Sequence, residues 1–135
     1  MTIHVTWLNQ EDHILLLTFP TVWDWDTFGI AYREALELTN NVPQSVDVIL
    51  DMRHVNRLPA HALNHAIRMS GRWSKHFGRA VFVTDQEALL PFGQAVCNII
   101  PYARKQAHHT STIAQAAALL AGERKRSTQS REAIA

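Results

Sequence analysis

Seven residues in the middle of the chain, Val46-Asp47-Val48-Ile49-Leu50-Asp51-Met52, limit the fold more than any others. A short apolar run of this kind, bounded by turn residues, reads as a strand buried on both faces. Such strands lie at the centre of parallel sheets, with helices covering both sides. Asn40-Asn41-Val42-Pro43 precedes the run and Arg53 to Leu58 follows it as a loop.

The segments on either side fit that sheet. Ile3 to Leu8 alternates apolar and polar residues, Asn9 to Asp12 is turn chemistry, and Ile14 to Phe19 is a second apolar strand. Together they read as an N-terminal hairpin, which Pro20 stops. Thr21 or Asp24 can cap the next helix, in which Trp25, Phe28, Tyr32, Ala35 and Leu36 recur at helical spacing as far as about Leu38. Pro59 suits the first position of a second helix, with Leu63, Ala66, Ile67, Ser70, Trp73 and Phe77 on its core face and Gly78 ending it. Arg79 to Thr84 is the next strand, Asp85 to Glu87 a turn, and Leu89 to Ile100 a helix with Pro91 in its first turn. Arg104 to His109 reads as a short last strand, and Ser111 or Thr112 opens an Ala-rich helix through Leu120. The expected fold is α/β: a single domain over residues 1–121 with a mixed, mostly parallel sheet, an N-terminal hairpin and helices packed on it. Residues 122–135 are expected as a polar tail.

Composition narrows the functional class. A chain of 135 residues that is 47% hydrophobic can bury a core without disulfides. No apolar run reaches the roughly 18 residues of a membrane span. The first residues show no basic stretch before an apolar run, so no signal peptide is expected. With Cys97 as the single cysteine, the expected location is cytoplasmic. Charge is unevenly spread. Residues 1–52 hold eight acids and one base, whereas residues 53–79 hold six bases, no acid and four of the eight histidines. Such a block attracts an anionic partner or pairs with the acidic segment, across the fold or between subunits. Nucleic acid is not the expected partner. The basic helix has no aromatics interleaved on its polar face, and the pI of about 8.0 is below that of basic domains.

Three passages carry a family resemblance: Val22-Trp23-Asp24-Trp25-Asp26-Thr27-Phe28, the strand and loop Val46 to Val55, and the strand Arg79 to Asp85 with the helix after it. The order of elements over residues 1–121 resembles the STAS domains, named after sulfate transporters and anti-sigma factor antagonists. It is closest to the SpoIIAA-like group of small bacterial proteins, often described together with SEC14-type carriers. The resemblance implies a regulatory or interaction module with a binding surface at the loop and helix start after the central strand. Anti-sigma factor antagonists carry an Asp-Ser-Ser-Gly-Leu type sequence there, with a phosphorylated Ser. Here the matching stretch is Pro59-Ala60-His61-Ala62-Leu63, so the phospho-switch is expected to be absent. The resemblance to lipid carriers implies a second reading, a small carrier of a lipid or other apolar anion.

The candidate interaction residues are Arg53, Arg57, Ala60, His61, His65, Arg68 and Arg72. His61, His65, Arg68 and Arg72 share a helix face, and a helix N-terminus beside Arg53 and Arg57 suits an anion. His61 and His65 stand one turn apart, a spacing that zinc sites use, but they lack the Glu of His-Glu-x-x-His and are read as surface histidines. Cys97 has no base placed beside it and reads as a small apolar residue. Asp51 reads as a loop-fixing acceptor at the strand end. Trp23, Trp25 and Trp73 read as core and rim aromatics, although an exposed Trp23 would mark an interface or the mouth of an apolar ligand site. The chain shows no Gly-x-Ser-x-Gly elbow and no Gly-rich phosphate loop. No enzyme activity and no cofactor are expected, and the partner is a protein or a second copy of the chain.

Overall fold

The computed structural model describes residues 2–99 and 107–122. Its elements are β1 (His4–Asn9), β2 (Ile14–Thr18), α1 (Trp25–Thr39), β3 (Val46–Asp51), α2 (Ala62–Ser70), β4 (Phe77–Val83), a 3-10 turn (Glu87–Leu89), α3 (Leu90–Ile99) and β5 (Ala107–Thr110). A last helix, α4, covers 113–122. The five strands form one sheet in the order β1-β2-β3-β4-β5. β1 runs antiparallel to β2, and β2 through β5 are parallel. This is the mixed, mostly parallel α/β sheet that the alternation of elements predicts.

The hairpin closes on Asn9 and Asp12. The Asn9 side chain donates to the Asp12 carboxylate at 2.9 Å and accepts from the Asp12 amide at 3.0 Å. All six residues of β3 are buried, because this strand has a neighbour on each edge and helices on each face. On one face Val46, Val48 and Leu50 join Leu15, Leu17 and the inner residues of α1, namely Phe28, Ala31 and Ala35. Leu63 and Ala66 of α2 meet Val96 and Phe92 of α3 over Phe82 on the same side. On the other face Ile14, Ile49, Val81 and Val83 are covered by Ala116 and Leu120 of α4. A sheet that advances in one direction with right-handed crossovers puts successive helices on one side. The helix after the last strand is then left to cover the other.

Asp24 rather than Thr21 caps α1. Its Oδ1 accepts from the Thr27 amide and hydroxyl, both at 2.7 Å. Thr112 caps α4, accepting from the Gln115 amide at 3.1 Å.

Asp47 sits at a register break between β3 and β4. Val46 pairs with Phe77 but Val48 with Ala80, so Gly78 and Arg79 together face Asp47. The bulge frees the Arg79 amide, which donates to Asp47 Oδ1 at 2.8 Å, while the guanidinium donates to Oδ2 at 3.1 Å. The same guanidinium donates to the Leu120 carbonyl at 3.2 Å. One buried carboxylate therefore binds β3 to β4 and, through Arg79, to α4.

The second helix is shorter than the sequence pattern predicts. Pro59 is not its first residue, because His61 takes a left-handed conformation (φ 56°, ψ 36°) and the helix starts at Ala62. The helix ends at Ser70, with Gly71 as its C-cap. Trp73 lies beyond it, Ile67 is exposed, and Phe77 opens β4. Trp73 and Phe77 kept helical spacing because both pack on Tyr32, with ring centroids 5.5 and 5.7 Å away. Gly78 does not end a helix. A Cβ there would lie 2.6 Å from Asp47 Oδ1 and 2.9 Å from Ser45 Oγ. The predicted tail from residue 123 onward, and residues 104–106 of the predicted last strand, lie outside the described residues.

Gly78→Ala is expected to lower stability by about 1–3 kcal/mol, because the added methyl must displace the Asp47 carboxylate from Arg79. Urea unfolding of the variant beside the parent measures it.

Candidate functional site

The parallel strands all end at one edge of the sheet, and four loops meet there. In open α/β sheets this carboxyl edge is where ligands and partners dock. The backbone ladder continues into the loops. Phe19 donates to the Asp51 carbonyl at 3.0 Å, Met52 to Val83 at 2.8 Å, and Thr84 to Thr110 at 3.1 Å. Val22 forms an isolated parallel bridge with Arg57, and the Asn56 amide donates to the Thr21 carbonyl at 2.8 Å. The loops after β2 and β3 thus form one surface.

Asp51 anchors that surface. It is 1% exposed. Its Oδ1 accepts from the Arg53 amide at 3.2 Å and from Nε at 2.9 Å, and its Oδ2 from the guanidinium at 3.1 Å. This is the loop-fixing role its position predicts. The carboxylate hydrogen bonds raise the Arg53 pKa above its ordinary value. Gln86 clamps the loop from the other side, donating through Nε2 to the Arg53 carbonyl at 2.7 Å.

The predicted interaction residues fall into four groups. Arg53 is held by Asp51 through two guanidinium contacts, so it shapes the loop more than it offers a free charge. Arg57, Ala60 and His61 are exposed at the carboxyl edge. His61 makes no side-chain capping bond, so the first amides of α2 open onto this loop without one. Arg68 and Arg72 are exposed farther along the outer side of α2, and Arg72 lies past its end. His65 departs from the surface reading. It is half-buried and stacked on Trp25, with ring centroids 5.1 Å apart and planes 26° apart.

That stack belongs to an aromatic seam between α1 and α2. Trp23 and Phe28 each contact both Phe19 and Trp25 and contact one another. Trp23 is buried at 2% exposure, so it marks the core and not an interface. The indole N–H groups of Trp23 and Trp25 are buried without a hydrogen-bond partner. Tyr32 extends the seam, donating to the Arg72 carbonyl at 3.3 Å and accepting from the Ser74 amide at 2.8 Å.

Three participants were not read from the sequence: Arg79, Gln86 and Trp25 as the partner of His65. Each acts across 32 or more residues or between separate helices, so no local spacing points to them. Among the described residues, no group of three or more His, Cys, Asp or Glu side chains could hold a metal ion. No helix among them is long and apolar enough to cross a membrane. Cys97 is half-buried on α3, and burial pushes its thiol pKa up.

Two measurements follow from these groups. Cys97 is expected to react slowly with a thiol reagent at neutral pH in the native protein and rapidly in denaturant, because only the thiolate attacks. Asp24 is held below the ordinary carboxylate range by the Thr27 amide and then the Thr27 hydroxyl. Its ionised form therefore favours the folded state above about pH 4, and that contribution is lost as pH falls through the lowered folded value. Asp24→Ala is expected to lower the Tm at neutral pH, with the gap from the parent narrowing in acid.

Compared with family models, curated proteins and solved structures, the chain finds no match.

Proposed function

We propose that this protein is a non-enzymatic interaction or regulatory module of STAS-like fold, without the phosphorylatable serine of anti-sigma factor antagonists. Its binding surface is the carboxyl edge of the sheet. The observation that carries this reading is the loop from Arg57 to His61. It is tied to the loop after β2 by the Val22–Arg57 bridge and the Asn56–Thr21 hydrogen bond, and by Leu58 packed on the core, while Arg57, Ala60 and His61 remain exposed. A surface that is fixed in shape and free in charge suits recognition, since little ordering entropy is lost on binding. Arg57 and the uncapped amides of α2 favour an acidic segment of a protein partner. The order of elements and the sequential strand order β1-β2-β3-β4-β5 of a mostly parallel sheet support the STAS-like assignment.

A second reading is a small carrier of a lipid or other apolar anion. The two buried indole donors without partners favour it, since buried N–H groups ordinarily have an acceptor. A ligand oxygen would supply one.

Arg57→Ala combined with His61→Ala is expected to abolish capture of the partner while leaving the melting temperature within a few degrees of the parent. Unchanged capture would remove this surface from consideration. Native mass spectrometry of gently purified protein separates the readings. A bare polypeptide favours the interaction module, and an organic mass lost on denaturation favours the carrier.

A further inference from the structure

The outer faces of α1 and α2 carry opposite charge, and no ion pair is made by either among the described residues. On α1 the exposed stripe is Asp26, Ile30, Glu34 and Glu37, with Arg33 at its side. On α2 and the turn after it the exposed residues are Asn64, Ile67, Arg68, Arg72 and Lys75, with no acid among them. Among the described residues, the ion pairs are Arg53 with Asp51 and Arg79 with Asp47, and neither joins the two helices. The aromatic seam accounts for this. Trp25 on His65 sets α2 beside α1, and Tyr32 on Trp73 holds the turn after α2 against α1, so both charged stripes face outward. Each stripe also carries an exposed isoleucine. Ile30 is 66% exposed, more than any other large apolar residue described, and Ile67 is 43% exposed.

We propose that this outer face is the interface of a two-fold homodimer, in which the acidic α1 of one protomer lies on the basic α2 of its partner. Both helices return from the carboxyl end of one parallel strand to the start of the next, so they run in the same direction. Two arrangements bring such a face onto its own copy. A two-fold axis across the helices sets α1 on α1 and α2 on α2, with like charges opposed. A two-fold axis along the helices, between them, sets α1 on α2 twice over. Charge selects the second arrangement, which is isologous and closes on itself. Ile30 and Ile67 then provide apolar contacts within a charged rim, the usual anatomy of an interface. The carboxyl-edge loop with Arg57 and His61 lies at the end of this face, so the dimer and the partner surface are separate.

Exposed charge contacts are screened by salt, so sedimentation velocity of the full chain tests the inference. A dimer is expected at about 50 mM salt, shifting to monomer near 0.5 M, where the screening length falls to a few ångströms. Arg68→Glu with Arg72→Glu is expected to give monomer at low salt, and so is Glu34→Arg with Glu37→Arg. Combining both reversals is expected to restore the dimer, because the charges again complement across the two-fold. Ile30→Ser, conservative for folding at an exposed site, is expected to weaken the dimer at least tenfold. A monomer at every protein concentration in low salt would overturn the inference. A dimer indifferent to both the Arg68/Arg72 reversal and Ile30→Ser would overturn it as well. Because Arg57 and His61 are untouched, loss of the dimer with retained partner capture separates this inference from the carboxyl-edge reading.

Discussion

The structure depends on two carboxylates buried in its central strand. Asp47 and Asp51 are both on β3, four residues apart and on one face, with side chains 6% and 2% exposed. A buried acid is tolerated only when it is paired and fully hydrogen-bonded. Each here has an arginine as partner, and each receives a backbone amide from that same arginine. The two pairs act at opposite ends of the strand. Asp47 with Arg79 secures the bulge at the start of β4 and reaches the C-terminal part of α4. Asp51 with Arg53 sets the loop at the carboxyl edge. One strand thus carries both the mechanical closure of the fold and the shape of its candidate binding surface.

The sequential order of the parallel strands β2 to β5 explains the division of surfaces. Three helices cover one face and one covers the other, so the two cores differ in character. The face under α1 is rich in aromatic residues, and the face under α4 is aliphatic. Ring contacts tie α1 to α2 through Trp25 on His65, and to the turn after α2 through Tyr32 on Trp73, with no ion pair between the two helices among the described residues. Edge and stacked aromatic contacts contribute about 0.5–1.5 kcal/mol each beyond the area they bury. Charged residues on those helices are therefore not needed to bind them to each other, which leaves them available outside the chain.

What the sequence makes legible follows from how local each signal is. The hairpin, α1 and β3 were readable because alternation, helical spacing and an unbroken apolar run each lie within one segment. Asp51 was readable as an acceptor because its main partner is two residues away. The helical spacing runs past the true end of α2 for a physical reason. Trp73 and Phe77 repeat at four residues because both meet Tyr32 from a turn and a strand, and a shared tertiary partner imitates a helical face. The start of α2 lies later than the sequence predicts because a left-handed His61 overrides the preference of Pro59 for a first helical position. Gln86 and Arg79 could not be found by spacing, since the sheet alone brings them to Arg53 and Asp47. His65 kept the right helix but lost its free surface, because Trp25 comes from another element.

The charge asymmetry of the sequence resolves into two parts with different meanings. Of the six bases between residues 53 and 79, Arg53 and Arg79 are used inside the fold to balance the two acids of β3. That part of the basic block pairs with the acidic segment within the chain, and it is structural. The remaining four, Arg57, Arg68, Arg72 and Lys75, are exposed. The acids they could offset, on α1, are exposed too and lie on the neighbouring helix across the aromatic seam. Self-balancing would have needed α1 and α2 to turn their charged faces toward each other, and Trp25 stacked on His65 occupies the place where they meet. The unpaired charge of each helix is therefore presented to solvent as a strip of one dominant sign. Two such strips of opposite sign, side by side on one face, are complementary to the same face rotated by a half turn about the helix direction.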